Sequence, residues 1–317
     1  MTDTDAGPPR PPVVAIVGPT GTGKSELAVA LAQRIGGEII NADSMQLYRG
    51  MDVGTAKLAP AERGGVIHHL LDVWPVTKSA AVAEYQRLAR AAIADIAGRG
   101  QTPVLVGGSG LYVRATLDRL EFPGESPEIR ARLAAELAEV GPAALHARLA
   151  RLDPAAATAI LASNGRRIVR ALEVIELTGG LFTARMPAFE SVYPAVQIAL
   201  EHPDLEERVR LRVDRMMAGG LLDEVRRLLP LGLRDSPTAS KALGYQQVLA
   251  VLDEQGELRG DLSDLANAVE LTVRGTWRFV RRQRSWFRRD PRLHWLDAAA
   301  PDVLDTALAL LPARLGT

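Results

Sequence analysis

The octet G-P-T-G-T-G-K-S at Gly18–Ser25 restricts the fold more than any other stretch of this chain. It follows the β-branched run Val13–Val17 and precedes helix-favouring text from Ser25 to about Ile35. A strand, a glycine-rich turn and a helix in that order open a parallel α/β sheet. Glycines at Gly18, Gly21 and Gly23 let successive backbone N–H groups point at one anion, and the helix N-terminus adds its dipole. In this G-x-x-x-x-G-K-[ST] pattern Pro19, Thr20 and Thr22 complete the turn, Lys24 reaches the terminal phosphates and the Ser25 hydroxyl is a magnesium ligand. The octet therefore predicts a site for a phosphate or diphosphate group together with Mg2+.

Further strands are expected at Glu38–Ala42, around the apolar pair Ile39-Ile40, and at Pro103–Val106, a continuous apolar run of the kind a sheet covered on two faces needs. Ala80–Ala97 carries helical periodicity between them, with Tyr85, Leu88, Ala92, Ile93 and Ile96 on one face. From Glu121 to Pro187 no strand pattern occurs. That stretch is Ala-, Leu- and Arg-rich helical text broken by Pro142, Pro154 and Asn164-Gly165. Val196–Leu200 returns to a strand, and Asp204–Leu229 reads as an amphipathic helix ended or interrupted near Gly219-Gly220. Helices at Ser240–Leu252 and Leu262–Arg288 and a short strand at His294–Leu296 complete the pattern. The expected architecture is α/β: a P-loop NTPase-like parallel sheet core flanked by helices, with an inserted helical domain. Residues 1–120 and 188–317 would form the core and residues 121–187 the insertion.

Composition matters chiefly for what it removes. The chain has no cysteine, which excludes disulfides, thiolate zinc sites and a catalytic thiol. Its five histidines form no H-E-x-x-H pair, so a bound metal should be a hard ion held by oxygen ligands. His68 and His69 lack evident carboxylate partners and read more readily as structural than as metal ligands. No apolar run approaches the roughly 20 residues of a membrane span. Met1–Pro12 is acidic and then Pro-rich, unlike a secretory signal, so a short disordered lead-in and a cytoplasmic location are expected. Lys plus Arg and Asp plus Glu both total 38, which leaves local clustering as the informative charge feature. The cluster is Arg274–Arg289, R-G-T-W-R-F-V-R-R-Q-R-S-W-F-R-R, with no acid in it. Such a density of fixed positive charge suits a nucleic-acid backbone. Trp277, Phe279, Trp286 and Phe287 either stack on bases or form the core face of that helix.

Two strand ends should face the same crevice as the octet. Asn41–Gln46 reads N-A-D-S-M-Q and places Asp43 as a general base, a more distant magnesium partner or a helix N-cap. Val106–Tyr112 reads V-G-G-S-G-L-Y and places Ser109 either against a substrate or in a tight strand-to-helix junction. Tyr48–Lys57, a glycine-punctuated stretch, is either a loop closing over a substrate or an irregular connection.

Together with N-A-D-S-M-Q-L-Y-R-G-M-D-V-G-T-A-K, H-H-L-L-D, R-R-I-V-R-A-L-E-V at Arg166–Val174, A-L-G-Y-Q-Q at Ala242–Gln247 and R-R-Q-R-S-W-F-R-R at Arg281–Arg289, these motifs resemble, in order, the tRNA dimethylallyltransferases (tRNA isopentenyltransferases). The resemblance runs from about Val13 to Arg289 and is most specific in the D-S-x-x-x-Y-x-G-M-D-x-G-T-A-K block. It implies that the octet holds the diphosphate of dimethylallyl diphosphate rather than ATP, with Mg2+ as cofactor. It implies further that Asp43 is the base for the exocyclic amine of an adenosine next to the anticodon, that Arg212 binds diphosphate, and that Ser109 lies between the substrates. By the same resemblance the insertion clamps the anticodon stem-loop. The tRNA contacts of the whole chain would be Asp43, Ser44, Met45, Gln46, Ser109, Arg130, Arg166, Arg167, Arg170, Lys241, Gln246, Arg281, Arg282 and Gln283, and the protein would act as a monomer. Two departures are visible. Ser163-Asn164-Gly165 replaces a common Asn-Asp-x, and Gln246 replaces a frequent Arg.

Competing readings are an adenylate isopentenyltransferase, a small-molecule P-loop kinase and a non-catalytic nucleotide switch or RNA-binding protein. The first needs neither an Arg-rich helix nor a large insertion. The last lacks support from an N-K-x-D text or a switch-like Walker B strand.

Overall fold

The computed structural model describes residues 11–182 and 188–312. Most of the lead-in expected over Met1–Pro12, and the last five residues of the helical stretch ending at Pro187, lie outside the described residues. The chain divides into one compact unit formed by Arg119–Glu190 and another formed by the chain on either side of it.

In the larger unit the first half comprises β1 (Val13–Val17), α1 (Lys24–Ile35), β2 (Gly37–Asn41), β3 (His68–His69), α2 (Val82–Gly98), β4 (Thr102–Gly107) and α3 (Gly110–Leu117). The smaller unit holds α4 (Pro127–Leu152), α5 (Pro154–Ala159) and α6 (Gly165–Thr178). The larger unit then resumes with β5 (Ala195–Glu201), α7 (Leu205–Ala218), α8 (Leu221–Leu228), α9 (Tyr245–Val251), α10 (Leu262–Phe287), β6 (Leu293–Asp297) and α11 (Val303–Ala309).

Among the described residues the strands form one six-stranded sheet in the order β3-β2-β4-β1-β5-β6, with every pairing parallel. The alternation of β1 explains why it reads as an unbroken apolar run. Val14 and Ile16 enter one core with Leu27, Leu31 and Ala307, while Val13, Ala15 and Val17 enter a second core with Ile93, Leu105 and Val113. Because every strand runs the same way, the carboxyl ends of β1, β2 and β4 lie along one edge, where ligands of open α/β sheets bind.

The interruption expected near Gly219-Gly220 is found: the stretch Asp204–Leu229 is two helices, and Gly220 between them has φ +92°. One expectation of continuous helix is corrected. Ser240–Leu252 is a 3-10 turn at Ala239–Lys241 followed by α9, because Gly244 at φ +89° cannot continue a right-handed helix. His68 and His69, read as structural residues without carboxylate partners, form the short edge strand β3, and His69 does have such a partner, its Nε2 lying 2.6 Å from a Glu38 carboxylate oxygen.

The smaller unit packs α4 against α6 around Leu133, Leu145, Leu149, Ile168 and Leu172. Helix α4 is kinked at Gly141-Pro142, where the missing proline N–H and the φ of +78° at Gly141 interrupt it. Glu173 is fully buried on α6. It accepts from Arg130 and Arg170, both at 2.9 Å, and from the Ser126 backbone N–H at 2.9 Å. Replacing Glu173 by Ala removes the buried acceptor shared by Arg130, Arg170 and the Ser126 N–H, while both guanidinium groups keep contact with solvent. The expected loss is about 1 to 2 kcal/mol, the range for lost hydrogen bonds to a charged group with the exposed partners rehydrated. Chemical denaturation of the Glu173→Ala protein checks it, and an unchanged midpoint contradicts it.

Candidate active site

The loop after β1 is shaped by three glycines with positive φ, Gly18 (+132°), Gly21 (+88°) and Gly23 (+85°). At Gly18 a side chain is excluded on space as well, since a Cβ there would sit 2.6 Å from the Leu200 carbonyl oxygen of β5. The turn is braced internally: the Thr22 hydroxyl donates to the Pro19 carbonyl at 2.9 Å, and the Lys24 ammonium donates to the same carbonyl. Arg208 on α7 holds it from outside, Nε donating to the Gly21 carbonyl at 2.7 Å.

Gln283, expected among the tRNA contacts, is buried instead and ties this loop to the end of β4. Its Oε1 accepts from the Thr20 N–H at 3.0 Å and its Nε2 donates to the Gly108 carbonyl at 2.9 Å. Both ends of that amide are used by the protein.

At the end of β2, Asn41 sets the path of the next residues. Its Oδ1 accepts from the Asp43 N–H at 2.9 Å, and its Nδ2 donates to the carbonyls of Asp43 and Leu70, each at 3.0 Å. Asp43 in turn accepts from the Met45 N–H at 2.9 Å. Turns, not a helix, follow it, so the N-cap alternative falls away. One carboxylate oxygen of Asp43 remains for other work. Ser109 sits at the start of α3, its Oγ accepting from the Ser44 N–H at 3.3 Å. Asp43 and Ser109 are thus linked through the backbone between them.

Arg212 on α7 completes the group. Its Nη2 donates to the Thr55 carbonyl at 3.0 Å, and Gln46 Nε2 donates to the same oxygen at 3.2 Å. A small cavity of about 70 Å³ brings together Lys24, Ser25, Asp43, Gln46 and Arg212. It adjoins two larger spaces through shared walls. One, about 310 Å³, is lined by Thr20, Asp43, Ser44, Met45, Ser109, Arg212, Lys241, Gln246 and Arg282. The other, about 400 Å³, is lined by Gly21, Gly23, Lys24, Ser25, Arg208, Arg212 and Arg215. Arg212 belongs to all three. Arg208 and Arg215, one turn either way on the same face of α7, were not singled out in the sequence. Their signal was available: R-x-x-x-R-x-x-R places the three on one stripe.

The electrostatics follow from burial. Desolvation, with the neighbouring Arg212 second, pushes the Lys24 ammonium down to about 8, against the opposing pull of Asp43 and Glu26. Desolvation likewise lowers Arg212, which Asp43 and Glu26 partly offset. Two cations converging on one space, each poorly solvated, leave the site short of negative charge. A diphosphate supplies it.

Farther out, Lys241, Gln246, Arg281 and Arg282 are exposed. Arg278, Arg281, Arg282 and Arg289 share an open surface with Trp286. Of the aromatic residues on α10 only Phe287 is fully buried; Arg282 lies over the Phe279 ring at 5.7 Å, and Trp286 is partly covered. Within the smaller unit Arg166 and Arg167 are exposed and make no side-chain hydrogen bond or ion pair among the described residues. Arg130 and Arg170 are occupied by Glu173, and Arg170 also donates to the carbonyls of Pro123 and Gly124. Asn164, in the divergent Ser163–Gly165 stretch, caps α6 by accepting from the Arg167 N–H at 3.2 Å.

A sequence model of the family described as IPP transferase matches residues 46–290. The chain belongs to the IPP transferase family. Among curated IPP transferase relatives, the tRNA dimethylallyltransferase of Thermobifida fusca is 64% identical over 306 residues, covering 94% of both chains. That of Streptomyces avermitilis is 63% identical over 302 residues and 95% of both. The fold matches the full-length tRNA isopentenylpyrophosphate transferase of Bacillus halodurans with a TM-score of 0.69 at 38% identity, over 96% of this chain and 97% of that one. A eukaryotic dimethylallyltransferase acting on tRNA matches with a TM-score of 0.79 at 25% identity, over 94% of this chain and 77% of that one. Among the described residues no helix is long and apolar enough to cross a membrane.

Proposed function

We propose that this chain transfers a dimethylallyl group from dimethylallyl diphosphate to the exocyclic amine of the adenosine 3′-adjacent to the anticodon in tRNA, giving isopentenyladenosine. The observation that carries this is the position of Asp43, on the wall of the same small cavity as Lys24, Ser25 and Arg212. A carboxylate opposite a phosphate grip suits a reaction in which a proton leaves the nucleophile as a diphosphate departs.

In that reaction the amine nitrogen forms a bond to the allylic C1 of the prenyl group. The C1–O bond to diphosphate breaks, the bonding pair leaves with the oxygen, and the Asp43 carboxylate accepts the displaced proton. Lys24, Arg212 and the loop amides of Gly18–Ser25 hold the departing charge. Ser109, which lines the 310 Å³ space together with Asp43, contacts the acceptor. The Ser25 hydroxyl on the cavity wall is an oxygen donor of the kind Mg2+ takes, an ion that keeps waters and substrate phosphate oxygens as ligands and needs few from protein. Ser25 would hold it, and it would supply charge neutralisation at the diphosphate.

The acceptor base is inaccessible while stacked, so it must turn out of the anticodon loop to reach Asp43. Ser44, Met45, Gln46, Lys241, Gln246 and Arg282 stand ready to contact it or its neighbours, and Arg281 to contact phosphate. In the smaller unit Arg166 and Arg167, exposed and unpaired among the described residues, are available to RNA phosphates, whereas Arg130 and Arg170 hold Glu173. We place the protein in the cytoplasm, acting as a monomer.

Nuclease digestion and mass spectrometry of unmodified tRNA, treated with the protein, Mg2+ and dimethylallyl diphosphate, test the assignment. One isoprenyl unit on the adenosine 3′-adjacent to the anticodon is expected; a gain on free adenylate but not on tRNA contradicts it.

The shifted lysine adds a pH dependence. Diphosphate bound beside Lys24 favours the ammonium and raises its pKa above the free value of about 8. Binding is therefore at full strength below about pH 8 and weakens as pH rises through the higher pKa of the complex. Calorimetric titration with magnesium diphosphate from about pH 7 to 9 should show this decline, and Lys24→Arg should flatten it. A decline of equal slope in Lys24→Arg contradicts the assignment to Lys24.

A further inference from the structure

Glu224 is a carboxylate in the first turn of α8, 1% exposed, with no part in the chemistry above. Its two oxygens accept four hydrogen bonds. One takes the backbone N–H groups of Asp52 at 3.0 Å and Val53 at 2.8 Å. The other takes the backbone N–H of Gly54 at 3.1 Å and the Tyr245 hydroxyl at 2.5 Å. Three successive amides turned onto one buried carboxylate fix that stretch of backbone firmly. If the acceptor were lost, all three would lose their partner, and the Gly54 N–H would be left in a buried place. Packing reinforces the hold, since a Cβ at Gly54 would lie 2.4 Å from the Tyr245 ring.

The residue that follows is Thr55, whose carbonyl accepts from both Arg212 and Gln46. The backbone does not favour this path by itself. Ala56 has φ +49°, in the left-handed region that costs a non-glycine residue about 1 kcal/mol or more. From the far side Lys57 grips the same turn, donating to the Tyr48 carbonyl at 3.0 Å and to the carboxylates of Asp52 and Asp72 at 2.6 Å each. The loop is therefore clamped at two points, and the carbonyl between them aims Arg212.

We propose that Glu224 is a positioning residue for substrate binding: through the amides of Asp52, Val53 and Gly54 it sets the Thr55 carbonyl, which orients the Arg212 guanidinium toward the diphosphate. Tyr245 keeps the carboxylate in place. The role rests on the reading of the cleft as a diphosphate site and deepens it. In Glu224→Gln an amide NH2 must face backbone donors on one side, so the loop shifts without any loss of side-chain volume. Tyr245→Phe removes a single donor and keeps the shape.

The test is a binding cycle with magnesium diphosphate as the probe, on the full chain, with melting curves taken for each variant. Wild type should bind. Glu224→Gln should weaken binding about tenfold and Tyr245→Phe about threefold, the range of one misplaced charge-assisted hydrogen bond. In the Arg212→Gln background both replacements should change binding by less than about twofold, because the group they position is gone. If Glu224→Gln does not fold, the Tyr245→Phe arm decides alone. Equal losses in the wild-type and Arg212→Gln backgrounds overturn the positioning role while leaving the diphosphate site intact. A wild-type chain that binds no magnesium diphosphate overturns both.

Discussion

Replacing Asp43 by Ala reduces prenyl transfer about 10³-fold while leaving magnesium diphosphate binding nearly intact, the size expected when a positioned general base is removed. The aryl amine of adenine is a weak nucleophile and must shed a proton as the new C–N bond forms. Asp43 is held for that task by Asn41 on one side and by the Met45 N–H on the other. Because the carboxylate also organises a turn, Asp43→Ala alone mixes two effects. Asp43→Asn separates them, since an amide oxygen still accepts from Met45 but is not a base. Single-turnover measurements on both variants should give losses of similar size. An Asn variant with near-normal rate would make Asp43 a structural residue.

The second large effect falls on the leaving group. Lys24→Ala should weaken binding of magnesium diphosphate about 100-fold, because a poorly solvated cation is removed from beside a multiply charged anion. Arg212→Gln should act in the same direction. Both lie on the wall shared by the small cavity and the 400 Å³ space, so the two losses should be less than additive. Titration calorimetry at about pH 7 reads both. Unchanged affinity in Lys24→Ala, with lost affinity for ATP, would return the octet to a nucleoside triphosphate.

What the sequence made legible was local. The octet carries its own geometry in its glycines, and β1 and β4 announce themselves as apolar runs because both faces of the sheet are covered. Lys24, Ser25, Asp43 and Arg212 do come together in one cavity. The edge strand β3 escaped notice because two residues make no periodic pattern. Gly244 was in plain view, yet only its φ of +89° shows that it ends one turn and starts another. The rest depended on contacts between distant parts of the chain. Nothing near Gln283 says that its amide will bridge Thr20 and Gly108, and its place in an Arg-rich run suggested RNA instead. Glu224 reads as an ordinary helix acid until the fold brings it beneath Asp52–Gly54. Arg130 and Arg170 look like free cations until Glu173 is found buried between them.

The most direct test of the central claim follows both products of one reaction. Unmodified tRNA, Mg2+ and dimethylallyl diphosphate labelled in the prenyl group are incubated with the protein, and a parallel sample receives ATP labelled in the terminal phosphate. The account predicts that prenyl label enters tRNA in equal amount to the inorganic diphosphate released, while ATP gives neither free phosphate nor labelled RNA. Phosphate released or transferred from ATP, with no prenyl label in tRNA, would contradict it.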